Sequence, residues 1–294
     1  MQPRWLRWGA TVLMGLALVW GQGRAQEEKA EYVGDEFCMG CHRDAVQPDW
    51  SKKRHNQYLL SPRLLSRAEE RGCEGCHGPG SLHMADPQRK HILNPRTAPA
   101  KVGSEVCLRC HKSQILPARW LATDHAKGGV LCGSCHEAHA ATKEAKLLRK
   151  KEVELCLDCH KEQAAEFRMN AHHPVLEGRL TCASCHDVHE QRGEGKALRD
   201  FEDLCVTCHA EKRGPFVFEH EVATGGRTEK CFQCHRPHGS PNLKLLQFSG
   251  RGLCLQCHTD IANDPDHLAR PGNCWQAGCH VRLHGSNNTR LFFN

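Results

Sequence analysis

The sequence predicts an elongated chain of short α-helices and loops, with little or no β-sheet and no aliphatic core of ordinary size. Three observations carry that prediction. Large apolar residues are scarce, 20 Cys stand beside 22 His in 294 residues, and one Cys–His motif recurs along the chain.

The first observation is compositional. Leu, Ile, Val and Phe together number 56, and aromatic residues make up only 6% of the chain. That is about 19% for the first group, under the roughly 20% below which chains fail to build a packed core. Something other than aliphatic side chains must supply the buried apolar mass, which argues against an ordinary globular enzyme.

Residues 1–25 read as an export signal. Arg4 and Arg7 form a basic start, Gly9 to Gly21 form an apolar run, and Gly23-Arg24-Ala25 offers a small-x-small cleavage site before Gln26. The run is short of the ~18 residues that a membrane span requires. No Cys sits at the cleavage site to carry a lipid. The expectation is an exported, periplasmic protein without a membrane anchor of its own, with residues 26–294 as a single domain.

Nine times the chain reads C-x-x-C-H: Cys38/Cys41/His42, Cys73/Cys76/His77, Cys107/Cys110/His111, Cys132/Cys135/His136, Cys156/Cys159/His160, Cys182/Cys185/His186, Cys205/Cys208/His209, Cys231/Cys234/His235 and Cys254/Cys257/His258. A tenth, Cys274/Cys279/His280, has four residues between its cysteines, and the ten motifs together use every Cys. A disulfide scaffold has no need of that spacing. Zinc sites use C-x-x-C pairs but require no His directly after the second Cys. Attachment of c-type haem needs both features: two thiols add to the two porphyrin vinyl groups, and the next residue is placed under the iron as its proximal ligand. The fold expected is therefore mainly short α-helices and loops wrapped around ten covalent haems, an elongated multihaem cytochrome c whose macrocycles replace the missing core.

Twelve His remain once the proximal ligands are removed. His139, His189 and His238 each follow a proximal His by three residues, in motifs that start at Cys132, Cys182 and Cys231, 50 and 49 residues apart. The chain thus repeats internally, in units of about 50 residues carrying two haem motifs each. Each unit's second motif, at Cys156, Cys205 or Cys254, follows a similar string: Lys146-Leu147-Leu148, Lys196-Ala197-Leu198 or Lys244-Leu245-Leu246. One extra His accompanies each motif, giving ten distal candidates: His55, His83, His125, His139, one of His172 and His173, His189, His220, His238, His267 and His284. His91 and the other member of the 172/173 pair are spare. If the backbone after the motif is helical, His136 and His139 share a helix face. Both cannot then serve opposite faces of one haem, so His139 should reach a neighbouring iron. Met39 lies inside a motif, and Met84 and Met169 flank His candidates and read as packing residues, not as axial ligands.

A formal charge of +6 invites a nucleic-acid reading, but three of the cations, Arg4, Arg7 and Arg24, lie in the leader. Ten bis-His haems with ionised propionates would bring the mature protein to about −7 oxidised and about −17 reduced, with Lys and Arg facing propionates. No nucleic-acid partner is expected.

The ten motifs, together with Cys73-Glu74-Gly75-Cys76-His77-Gly78-Pro79-Gly80-Ser81-Leu82-His83, make the mature chain resemble the MtrA/DmsE/PioA-type decahaem cytochromes. The resemblance implies a periplasmic string of bis-His haems passing electrons between donors and extracellular partners. It also implies an outer-membrane β-barrel porin and other cytochromes as partners. The C-x₄-C-H motif at Cys274 departs from the family pattern. The function expected is electron transfer without further catalysis. The rivals are a soluble periplasmic shuttle, a filament subunit, and a multihaem nitrogen-compound oxidoreductase, which would need an open iron.

Overall fold

The computed structural model describes residues 29–46, 54–59, 71–88, 91–139, 144–190, 201–224, 231–276 and 279–293. The expected leader and the Lys196–Leu198 string lie outside them.

Thirteen short helices are formed among the described residues: α1 Asp35–His42, α2 Arg54–Leu59, α3 Glu74–His77, α4 Ser81–Ala85, α5 Ala100–His111, α6 Pro117–Ala122, α7 Asp124–Lys127, α8 Cys132–Cys135, α9 Glu152–Leu157, α10 Lys161–Glu166, α11 Phe201–Cys208, α12 Glu221–Thr224 and α13 Pro265–Leu268. The longest, α5, has 12 residues. Helices this short are marginal in isolation and depend on what they pack against. Gly78 ends α3 with a φ of +78°, a left-handed conformation that glycine adopts without penalty.

Sheet is limited to two antiparallel two-stranded ribbons among the described residues. Strand β1 (Ala171–His172) pairs with β3 (Gly239–Ser240), and β2 (Phe218–Glu219) pairs with β4 (Gly285–Ser286). The two ribbons are the same device, one repeat apart.

The apolar core is as small as the composition predicts. Buried hydrophobic residues are Leu108, Trp120, Ala126, Leu131, Ala164, Phe167 and Val175. Leu108, Trp120 and Ala126 form one cluster, with Ile115 and Leu121 packed against it. The indole of Trp120 donates to Ser104 Oγ at 2.9 Å, which satisfies its one polar atom inside the cluster.

One local expectation is corrected. The backbone is not helical through His136–His139: α8 ends at Cys135, and His136 is extended with φ −105° and ψ 147°. His136 bridges to Leu148, as His235 does to Leu246, so a strand-like contact replaces the helix after these motifs.

Candidate functional site

Each motif closes one tight turn. The amide of the motif His donates to the carbonyl of the first Cys at 3.0 Å in His77, 2.8 Å in His136, 3.0 Å in His160, 2.9 Å in His186, 2.9 Å in His209, 2.9 Å in His235 and 3.0 Å in His258. The tenth motif closes the same bond, His280 N to Cys274 O at 2.9 Å, across two extra residues. The same hydrogen bond between motif His and first Cys is therefore kept despite the wider spacing.

Four of these rings are aimed by a hydrogen bond from Nδ1 to a backbone carbonyl. His77 reaches Leu93 at 2.7 Å, His136 reaches Lys146 at 2.8 Å, His235 reaches Lys244 at 2.8 Å and His280 reaches Leu291 at 2.6 Å. A donated Nδ1–H leaves Nε2 with a free lone pair, the form a metal takes. The acceptors explain the repeated Lys-Leu-Leu strings. Lys146, Leu147, Lys244 and Leu245 all have φ near +58°, which turns the carbonyls of Lys146 and Lys244 onto the rings.

Nine motif histidines face a second imidazole. The ring centroids are 6.0 Å apart for His42/His83, 5.8 Å for His77/His139, 6.1 Å for His111/His55, 6.1 Å for His136/His189 and 5.9 Å for His160/His125. They are 5.9 Å apart for His186/His238, 6.4 Å for His209/His173, 6.1 Å for His235/His284 and 6.3 Å for His258/His220. Two metal–nitrogen bonds of about 2 Å, with each ring centroid about 1.1 Å behind its nitrogen, require about 6.2 Å. The residues present therefore fit haem iron held between two imidazoles. The first, second, fourth, sixth and eighth motifs find their partner downstream, and the third, fifth, seventh and ninth find it upstream.

The tenth motif differs. His280 packs its ring on Phe293 at 5.1 Å. The remaining distal candidate, His267, contacts Asp264 at 3.3 Å, with its side chain 45% exposed.

Long-range elements position the partners. Near the N-terminal end, the buried Glu74 carboxylate accepts from the amides of Val33 at 3.0 Å, Gly34 at 2.9 Å and Gly80 at 2.8 Å. Ser81 Oγ accepts from Glu31 N at 2.8 Å, and Asp35 accepts from Cys73 N at 2.7 Å. The Cys73–His83 string is thus a clamp that docks the first motif on the second and sets His83 before His42. Further along, the ribbons do the same work. His173 Nδ1 donates to Pro237 O at 2.6 Å and His220 Nδ1 to Leu283 O at 2.9 Å, so each ribbon aims one distal candidate and carries another, His238 or His284, on its opposite strand.

His172 points elsewhere: its Nδ1 meets Met169 O at 2.7 Å and its Nε2 meets Glu177 at 3.0 Å. His91 lies 3.9 Å from Asp86.

One cavity of about 5400 Å³ joins all these groups. All ten motifs and the candidates His55, His83, His125, His139, His173, His189, His220, His238, His267 and His284 line it; His91 and His172 do not. Per motif this is about 500 Å³, the size of an ordinary cofactor site. Nδ1 of His83 is buried and has no hydrogen-bond partner among the described residues. Burial pushes the imidazoles of His55, His139, His189 and His235 below the usual histidine value, and that of His284 down to about 4. They are neutral at pH 7, as ligands must be.

The cysteines follow the order of the chain. First cysteines meet in pairs: Cys38 with Cys73, Cys107 with Cys132, Cys156 with Cys182, Cys205 with Cys231, and Cys254 with Cys274. These contacts and burial raise the thiols of Cys107, Cys156, Cys205 and Cys254, and Cys76, Cys135, Cys185 and Cys234 of the preceding motifs add a smaller share.

Comparison with known proteins agrees with this architecture. Residues 220–263 match the doubled CXXCH motif family, residues 73–159 the cytochrome c-type protein NrfB-like family, and residues 124–210 the cytochrome c3 family. The cytochrome c-type protein NrfB of Escherichia coli is 27% identical over 49% of this chain and 74% of its own. The C-type polyheme cytochrome OmcC of Geobacter sulfurreducens is 30% identical over 37% of this chain and 15% of its own. The multiheme cytochrome MtrA of Shewanella baltica is 31% identical over 87% of this chain and 79% of its own. A likeness at 31% identity over 87% of its length makes this chain a multihaem c-type cytochrome of electron transport, and it belongs to the MtrA family.

Proposed function

We propose that the chain is an electron conduit of ten bis-His haems, exported to the periplasm and working in or against an outer-membrane β-barrel porin. The observation that carries the reading is the one cavity lined by all ten motifs, in which nine motif histidines face a second imidazole at 5.8 to 6.4 Å. Covalent haem supplies reversible one-electron chemistry at iron. The chain's own residues tether, ligate and space it. Twenty Cys tether, the ten motif His are proximal, and the ten His that line the cavity beside them are distal, with His267 serving the tenth motif.

Two imidazoles on one iron leave no position for a substrate, so the nine facing pairs favour electron exchange over substrate turnover. Ten sites in line suit length. No helix among the described residues is long and apolar enough to cross a membrane, so passage through the roughly 30 Å hydrocarbon core calls for a barrel around the cytochrome. A diffusing shuttle needs one or two haems, not ten in sequence.

The test is reconstitution. Liposomes loaded with an electron-accepting dye, holding the cytochrome with a candidate barrel, are given an external reductant. Dye reduction that needs both proteins supports the conduit. A cytochrome that purifies only as a free monomer, and that no barrel enables to transfer across lipid, is a shuttle instead.

A further inference from the structure

Three successive units place an aromatic residue after an odd-numbered motif and pack it on the segment of a downstream distal His. Trp120 lies 6.3 Å from the ring of His189, Phe167 lies 5.3 Å from that of His238, and Phe216 sits against Gly285, the residue after His284. The residue before each aromatic changes charge from unit to unit: Arg119, Glu166, Pro215. Arg119 pairs with Glu190 at 2.9 Å. Glu166 instead sets Oε2 3.0 Å from Nδ1 of His238.

That contact is held from several sides. Glu166 ends α10, and Gly239, next to His238, runs so close to the Glu166 carbonyl that any side chain there would collide with it. The carboxylate is largely shielded, 19% exposed, so solvent screens it little. By contrast, Nδ1 of His77, His136, His235, His173 and His220 meets a neutral backbone carbonyl, and Nδ1 of His111 meets the Gln114 amide.

A carboxylate that accepts an imidazole N–H draws the proton toward itself and makes the opposite nitrogen a stronger donor. A stronger donor favours the more highly charged ferric iron over ferrous iron. We propose that Glu166 sets the potential of the haem carried by Cys182, Cys185 and His186 below those of its counterparts in the neighbouring units, at Cys132 and Cys231. The proposal rests on the reading of His238 as the distal ligand of that haem. It makes the sixth site of ten a step that electrons entering from either end must climb. Glu166 is thus a positioning residue that acts on iron through His238.

The experiment uses the full-length holoprotein. In Glu166→Gln the amide still accepts the hydrogen bond but carries no charge. Potentiometric titration followed by electron paramagnetic resonance should show one haem shifted to higher potential, with all haems still low-spin. Glu177→Gln, which alters the carboxylate on His172, should move none. His238→Ala tests the ligand reading separately and should give one high-spin haem. If it does, and Glu166→Gln leaves every midpoint in place, the proposal is overturned while the reading stands. If His238→Ala leaves every haem low-spin, the ligand reading fails and the proposal falls with it.

Discussion

The ring of His139 faces that of His77, 62 residues upstream, at 5.8 Å and 23° between planes, although His139 lies only three residues after His136. His136 in turn faces His189, and His186 faces His238. Each unit therefore takes a partner imidazole from the next. Ligation of this kind would cross-link the repeat along its length, so that losing one His disturbs the haem of another unit.

This gives the first prediction. His139→Ala should produce one high-spin haem, and it should be the one attached at Cys73 and Cys76. Adding Cys73→Ala and Cys76→Ala should remove the high-spin signal, whereas adding Cys132→Ala and Cys135→Ala should leave it. The reverse pattern would place His139 on the iron of its own motif.

A second prediction separates neighbours. His173→Ala should convert one haem to high-spin, while His172→Ala and His91→Ala should leave the low-spin spectrum intact. His173 faces His209 at 6.4 Å, whereas both nitrogens of His172 are occupied by Met169 and Glu177. A high-spin haem in His172→Ala would reverse the assignment.

Gly239→Ala should destabilise two sites at once. The added methyl would collide with the Glu166 backbone, forcing β3 away from α10 and from β1. Overpacking costs about 1–3 kcal/mol, and here the obstacle is backbone that cannot rotate away. Both His173 and His238 hang on this ribbon, so high-spin signal should appear at two haems with the thermal midpoint lowered. Loss of stability with every haem still low-spin would show that the ribbon does not aim the ligands.

The sequence discloses the motifs, the short helices and the small core because these depend on local spacing and composition. It does not disclose partner geometry that depends on distant segments. His172 and His173 cannot be told apart locally, since consecutive residues of extended backbone point to opposite sides. Which one faces inward is settled by pairing Ala171 with Ser240, 69 residues away. The helical face assumed for His136 and His139 fails because the Lys146–Leu148 segment docks on His136 and holds it extended. One signal passed over was in plain view. His-Gly-Ser stands at both 238–240 and 284–286, with Ser240 and Ser286 almost wholly buried, and marks the two ribbons.

The tenth site should be the one that exchanges its sixth ligand. Its motif closes the same His280–Cys274 bond as the others, so covalent attachment is expected despite the four-residue gap. Intact mass should therefore exceed the chain from Gln26 by ten haems. The difference is that His280 packs on Phe293 and, among the described residues, faces no second imidazole. His267 sits on the four-residue helix α13, its ring held by Asp264 and half exposed. Held at this exposed place and not facing His280, it is a weaker ligand than rings that already face their partner. Carbon monoxide added to the reduced protein should bind at one haem per molecule, and Asp264→Ala, which frees His267 to swing inward, should slow that binding. Carbon monoxide taken up at several haems, or at none, would make the tenth site the equal of the other nine.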